Sequence, residues 1–404
     1  MLSAPYCPTI HMPNPKRKHW LFLGDLEEHS VREVYRGAAE YAARQPHLDL
    51  VPWSEYPGRG NGPTSDDLRQ ADGLLIADVD LPLLGRGATR LNVPYACYLL
   101  TPTSHNRRIP AIFMDNHAVG RMAAEHLIQR GYRHLASFGL PDTLWSDLRA
   151  VGFREAARER GLNVHSHDSL PTALQVYRPP LMHAQLEALK SALQSLPKPC
   201  GIFAVCDVGA SYIIRAAREL GLRIPDQIGV IGVDDDPIAG SAAGLAISTV
   251  EIPCREAGWR AAALLADRIQ GKKPTDSPVL PPVRVIARTS TNAFMVADPL
   301  VRRALELIED RRAEGLTVAE IVRILQTTPV TLGQRFREHL KLTPAKYILH
   351  RRLEHAKDLL RAGELSVAEV SDACGFHDCS YFCHVFKRTT GTSPSAFRPA
   401  PPPR

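Results

Sequence analysis

A short pattern occurs twice near the C-terminus of this chain, and it commits both stretches to the same local fold. Thr317-Val318-Ala319-Glu320 places a hydroxyl and a carboxylate three residues apart. That spacing is a capping box, which satisfies otherwise unpaired amides at a helix start. Ser366-x-x-Glu369 repeats it. Leu332 and Phe336, four apart, can anchor a following helix on a core, and Phe382 and Phe386 repeat that pair. Leu342-Thr343-Pro344 recurs as Thr392-Ser393-Pro394. Val318 to Val367 is 49 residues and Phe336 to Phe386 is 50, so one residue is added in a turn. Helix, tight turn (Cys374-Gly375-Phe376 in the second copy) and anchored second helix make a helix-turn-helix. Two such units present two similar surfaces, suited to a ligand that repeats itself. A B-form duplex returns its major groove after about 34 Å.

Over residues 300–398 both motifs and the helix joining them resemble the AraC-type DNA-binding domain. The outward positions of the first reading helix are Val330, Thr331, Gly333, Gln334 and Arg337; those of the second are Ser380, Cys383, His384 and Lys387. Gln334 suits an adenine edge, Arg337 a guanine or phosphate, and Lys387 a phosphate. Gly333 departs from the AraC-type pattern, which usually has a longer side chain there. The plain alternative is that these residues are only solvated. Charge fits the first reading: residues 299–404 hold 17 Lys and Arg against 12 Asp and Glu, the rest of the chain 32 against 31.

Upstream the text alternates strands with helices. WLFL (20–23), GLLIAD (73–78), PYACYLL (94–100) and AIFMD (111–115) read as strands, with helices at 31–44 and 117–130. The series restarts with HLASFGL (134–140), a helix at 148–160, GIFAVCD (201–207), a helix to Leu220 and IGVIGVDD (228–235). Such alternation predicts parallel sheets with helices on both faces, and two series predict two lobes. The expected fold is therefore a two-lobed α/β domain followed by an all-α tandem helix-turn-helix domain. Its parts are an irregular arm at 1–16, the α/β domain at 17–292, a linker at 293–299, the helical domain at 300–398 and a Pro-rich tail at 399–404.

FMDNHAVGRMAAEHLIQRGYRHLASFG, LRAVGFREAARERGL, GIFAVCDVGASYIIRAARELGLRIPDQIGVIGVDD and STVEIPCREAGWRAAALLADRI are similar to the ligand-binding domain of LacI-type repressors. That resemblance implies a periplasmic-binding-protein-like fold, with the chain crossing between lobes near 115, 248 and 282. The N-terminal DNA reader of those repressors has no room here, since about sixteen residues precede the first strand. A sugar site needs carboxylates to accept from hydroxyls, an Arg fork to donate, and an aromatic face to cover C–H groups. Open α/β sheets gather such groups beyond their strands' carboxyl ends. Strand ends supply Asp78, Asp207 and Asp234, and Arg149 starts a following helix. The resemblance also puts Arg149, Asp207 and Asp234 on ligand-holding positions. Trp145 is a candidate stacking face, and Asp25, Ser30 and Arg32 lie in a loop that can reach the cleft. The alternative is that strand-end aspartates merely cap the next helix.

Asp234-Asp235-Asp236 cannot converge on one ion without an unusual loop, so no metal is expected there. Cys374, Cys379 and Cys383 with His377 and His384 are better read as core and groove-facing residues than as metal ligands. Gly58–Gly62 do not follow a strand, and no phosphate loop or hydrolase motif occurs. No cofactor and no enzyme activity are expected. With no run of 18 apolar residues, no signal-peptide core and no disulfide spacing among eight cysteines, the expected compartment is the cytoplasm, away from membranes. The joint resemblance implies a regulator that activates pentose catabolic genes when sugar closes its lobes. Its partners would be a double-stranded operator, a small neutral sugar with D-xylose favoured, a second copy of the chain in a homodimer, and RNA polymerase. The alternative is an AraC-type regulator answering another small molecule or no sugar.

Overall fold

The computed structural model describes residues 17–53, 65–77, 93–99, 101, 109–170, 179–272, 277–296, 298–311, 316–340, 342–376 and 378–398. The irregular arm, the Gly58–Gly62 loop, Asp78, His377 and the Pro-rich tail lie outside them.

The chain divides into two compact units, residues 1–126 with 134–291, and 127–133 with 292–404. The first unit holds two six-stranded sheets. One is built from β1 (Lys18–Leu23), β2 (Leu48–Pro52), β3 (Gly73–Ala77), β4 (Tyr95–Leu99), β5 (Ala111–Met114) and β11 (Val279–Leu280), in the order β11-β5-β4-β3-β1-β2. The other contains β6 (His134–Phe138), β7 (Val164–His167), β8 (Cys200–Ala204), β9 (Ile228–Val233), β10 (Ser248–Glu251) and β12 (Arg284–Ile286), in the order β12-β10-β9-β8-β6-β7. Among the described residues every pairing is parallel except β10 with β12. This is the two-lobed α/β class that the alternating pattern predicts. β3, β5, β8 and β9 are buried along their whole length. That explains why they read as unbroken apolar runs and not as alternation. The chain moves from the first sheet to the second after β5, returns after β10, and leaves again between β11 and β12.

The helices that start in this unit, among the described residues, are α1 (His29–Ala43), α2 (Ser65–Arg69), α3 (Asn116–Gln129), α4 (Leu144–Glu159), α5 (Pro179–Ser195), α6 (Asp207–Glu219), α7 (Pro237–Ala243) and α8 (Cys254–Ile269). Helix α4 starts a full turn before the expected Leu148, which carries Arg149 into the helix interior. The strand expected to end at Asp207 ends at Ala204, and Asp207 opens α6.

The second unit contains α9 (Pro299–Asp310), α10 (Val318–Ile324), α11 (Pro329–Leu340), α12 (Pro344–Ala362), α13 (Val367–Ala373), α14 (Cys379–Thr390) and α15 (Pro394–Phe397). Both capping boxes form in full. The internal repeat extends to backbone conformation. Gln326 and Gly375, 49 residues apart, are both left-handed, with φ of 50° and 72°, and each turns its chain toward the second helix. The added residue follows Gly375, because Thr328 and Asp378, 50 apart, each accept an amide at the start of that helix. Leu332 and Phe336 are buried in one core, and Phe382 and Phe386 in another. Helix α12 serves both: Tyr347 and Ile348 enter the first core, Leu353, Ala356 and Leu360 the second. No helix among the described residues is long and apolar enough to cross a membrane.

Candidate functional site

Beyond the carboxyl ends of the second sheet, polar side chains gather around a buried guanidinium. Helices α3 and α4 approach until almost nothing separates their backbones. A Cβ on Gly120 would fall 1.8 Å from the Arg149 carbonyl, and one on Gly152 would fall 2.0 Å from the His117 carbonyl. This contact brings Asn116, the first residue of α3, to Arg149. Arg149 is 1% exposed. Its Nε donates to Asn116 Oδ1 at 2.8 Å and its Nη1 to the Val205 carbonyl at 2.6 Å. Nη1 also lies 3.9 Å from Asp234 Oδ1, and the guanidinium stacks 4.7 Å from the centre of the Trp145 ring.

Asp234 sits on an unusual turn. Its φ is 107° and that of Asp235 is 60°, conformations that cost roughly 1–3 kcal/mol each without glycine. Three successive amides hold the turn. Asp234 N donates to the Val250 carbonyl, Asp235 N to Thr249 Oγ1 and Asp236 N to Asp207 Oδ2. Arg288 pairs with Asp235, and Asp236 caps α7 through Ile238 N. Burial pushes the Asp234 carboxyl up to about 7; Arg149 opposes this, while Glu28 and Asp236 add to it. Glu28, the residue before α1, therefore brings a charge from the first sheet's side to bear on Asp234.

Among the residues expected here, Arg149, Asp234 and Trp145 come together. Asp207, as buried as Arg149, has Oδ2 taken by Asp236 N and the Thr249 hydroxyl. The loop residues act locally. Arg32 donates to the carbonyls of Leu26 and Glu27, Asp25 accepts from Glu27 N, and Ser30 is half-buried in the first turn of α1. Asp78 lies outside the described residues. Asn116 and Cys206 are not among the expected site residues. Both follow strand ends, so the rule that singled out Asp207 applied to them equally. Cys206 caps α6, accepting from Gly209 N, and burial with Asp234 nearby pushes its thiol up to about 12.

In the second unit the expected reading residues lie on the outer faces of α11 and α14. Val330, Thr331, Gln334 and Arg337 are exposed and Gly333 half-buried; Ser380, His384 and Lys387 are exposed and Cys383 half-buried. A Cβ at Gly333 would meet only the Arg337 guanidinium, at 3.9 Å, so the fold does not require glycine there. Arg335 turns away to Asp298, 3.2 Å off. Tyr381, 54% exposed, is an addition to the second face. The fifty-residue offset from Thr331 would have found it.

Two domain families match the chain. A periplasmic binding protein-like domain covers residues 124–291, and a helix-turn-helix domain covers 321–400. The xylose operon regulatory protein of Escherichia coli K12 is 31% identical over 397 residues, which is 95% of this chain and 97% of that protein. The chain belongs to the xylose operon regulatory protein family. Its relative in Haemophilus influenzae is 30% identical over 293 residues, 72% of this chain and 74% of that one. A solved structure of a xylose-binding transcription activator superposes with a TM-score of 0.59 at 27% identity, covering 95% of this chain and 98% of that one. The chain is thus a transcription regulator in which a periplasmic-binding-protein-like sensor precedes a tandem DNA reader.

Proposed function

We propose that this regulator binds D-xylose beside Arg149, Asn116, Asp234 and Trp145, and that sugar binding resets how its two reading helices engage an operator. The observation that carries this reading is the buried Arg149 fork facing a single carboxylate, Asp234, at the strand ends of a sensor whose relatives are xylose regulators. Asp234 accepts from sugar hydroxyls and the fork donates to a hydroxyl or ring oxygen. A phosphorylated sugar would call for several cations or a free helix N-terminus. Arg149 stands here beside Asp234, on which Glu28 also acts, and this favours a neutral ligand. The protein works in the cytoplasm, as a homodimer that sets the spacing of its operator half-sites and contacts RNA polymerase, without catalysing a reaction. Calorimetric titration of xylose, arabinose, ribose and glucose tests the assignment. Binding heat with xylose is expected, and no heat with any of the four removes the pentose reading.

The raised Asp234 carboxyl gives this binding a pH dependence. Sugar hydroxyls need its ionised form, so xylose affinity should rise as pH increases through about 7. Well below that point it should fall about tenfold per unit, with a plateau above it. The stability effect has the opposite sense. Between the ordinary carboxylate value of 3.8 and about 7 the folded protein keeps a proton that the unfolded chain has lost. This stabilising contribution is lost as pH rises through that window. Calorimetry between pH 5.5 and 8.5 reads the affinity; a flat profile counts against Asp234 as a sugar contact.

On the DNA side, His384→Ala should relax preference at one or two base pairs, at a cost of roughly 1–3 kcal/mol on the preferred site only. Lys387→Ala should weaken preferred and random duplexes alike and reduce the salt slope by about 1. Titrations on both duplexes at several salt concentrations separate the two. Equal losses on both from His384→Ala would remove it from the base-reading set.

A further inference from the structure

We propose that Asp207 is a positioning residue: it makes no contact with sugar and instead fixes the turn that aims Asp234 at Arg149. This rests on the reading of Asp234 as the sugar carboxylate and concerns how that carboxylate is placed.

Two observations carry it. First, neither oxygen of Asp207 is open to a ligand. Oδ2 accepts from Asp236 N at 2.9 Å and from Thr249 Oγ1 at 3.0 Å. Oδ1 is buried without a hydrogen-bond partner among the described residues and is closed off by the backbone of β9, where a Cβ at Gly232 would fall 2.0 Å from it. A sugar hydroxyl has no path to an oxygen covered by a strand. Second, the groups Asp207 holds belong to the turn. Thr249 Oγ1, which donates to Asp207, also accepts from Asp235 N at 3.2 Å. One carboxylate oxygen and one hydroxyl thus tie down two successive amides, directly after the left-handed Asp234. Without them two amides lose their acceptors, and nothing offsets the strained φ values that point Asp234 toward Arg149. Burial, with Asp234 close by, also raises the Asp207 carboxyl well above its ordinary range, so an uncharged amide of the same shape can stand in for it.

The test compares Asp207→Ala, Asp207→Asn, Thr249→Val and Asp234→Asn in the full chain, with D-xylose as the probe. Calorimetry reads sugar affinity, and amide hydrogen exchange reads the turn at 234–236 without any sugar. Asp207→Ala should lose about tenfold to a hundredfold in xylose affinity and in turn protection together. Asp207→Asn should keep both within about threefold, because its amide oxygen still accepts. Thr249→Val should weaken protection of Asp235 while Asp207 still accepts from Asp236 N. Asp234→Asn should lose xylose and keep the protection. The proposal is overturned if Asp207→Asn loses xylose as severely as Asp234→Asn while its turn stays protected, since Asp207 is then a direct contact. Unchanged turn protection in Asp207→Ala overturns it as well. Should Asp207→Ala fail to fold, Asp207→Asn and Thr249→Val decide the matter. If wild type binds no xylose, the sugar reading fails alone, and hydrogen exchange still supports or overturns the role of Asp207.

Discussion

Inserting about five base pairs between the two reading sites of the operator should lower affinity by two orders of magnitude or more. Two readers joined in one protein gain about 10²–10⁴ over one when both engage, and lose it when geometry forbids that. The geometry here is strict because each end of α12 is built into one of the two cores. At 19 residues the helix spans about 28 Å, close to the roughly 34 Å repeat of the major groove. Half a turn of added DNA puts the second groove on the far side of the duplex, where α12 cannot deliver α14. Gel-shift or fluorescence titrations with insertions of about five and ten base pairs check this. The longer insertion restores the phase but stretches the distance, so it should recover little. Equal affinity for the original and the five-base-pair duplex would mean that only one reader binds.

Arg149→Met should abolish the sugar response and cost about 3–5 kcal/mol in the stability of the first unit. The guanidinium is buried and holds four partners: Asn116, the Val205 carbonyl, the Trp145 ring and, at 3.9 Å, Asp234. Methionine fills the space but takes a donor from Asn116 Oδ1 and from the Val205 carbonyl, and it removes the counter-charge of Asp234. Thermal or denaturant unfolding reads the stability, and xylose titration reads the site. A variant that melts like wild type and binds xylose normally would show that Arg149 neither supports the fold nor touches the ligand.

How far the sequence reveals this molecule depends on the range of the interactions involved. Capping boxes and four-residue apolar spacings are local, and both helix-turn-helix units form where Thr317, Ser366, Phe336 and Phe386 indicate. Apolar runs such as GIFAV identify strands buried on both faces. Their ends are harder to place, because a strand and the helix after it share no periodicity. The pattern GIFAVCD places Asp207 at the end of a strand. That residue opens α6 instead, and Cys206 occupies the capping position before it. The Asn116–Arg149 bond joins residues 33 apart through glycines on two different helices. No spacing in either segment announces such a contact. Weakly apolar elements leave no such signal: half-exposed β7 reads VHSH, without a periodic pattern.

Coupling of sugar and operator binding within one protein is measured most directly by linkage. Operator affinity is measured without and with saturating D-xylose, and xylose affinity without and with saturating operator duplex. The account predicts that xylose changes operator affinity and that operator changes xylose affinity by the same factor, about 5- to 150-fold. Operator affinity that stays the same with and without bound xylose would contradict it.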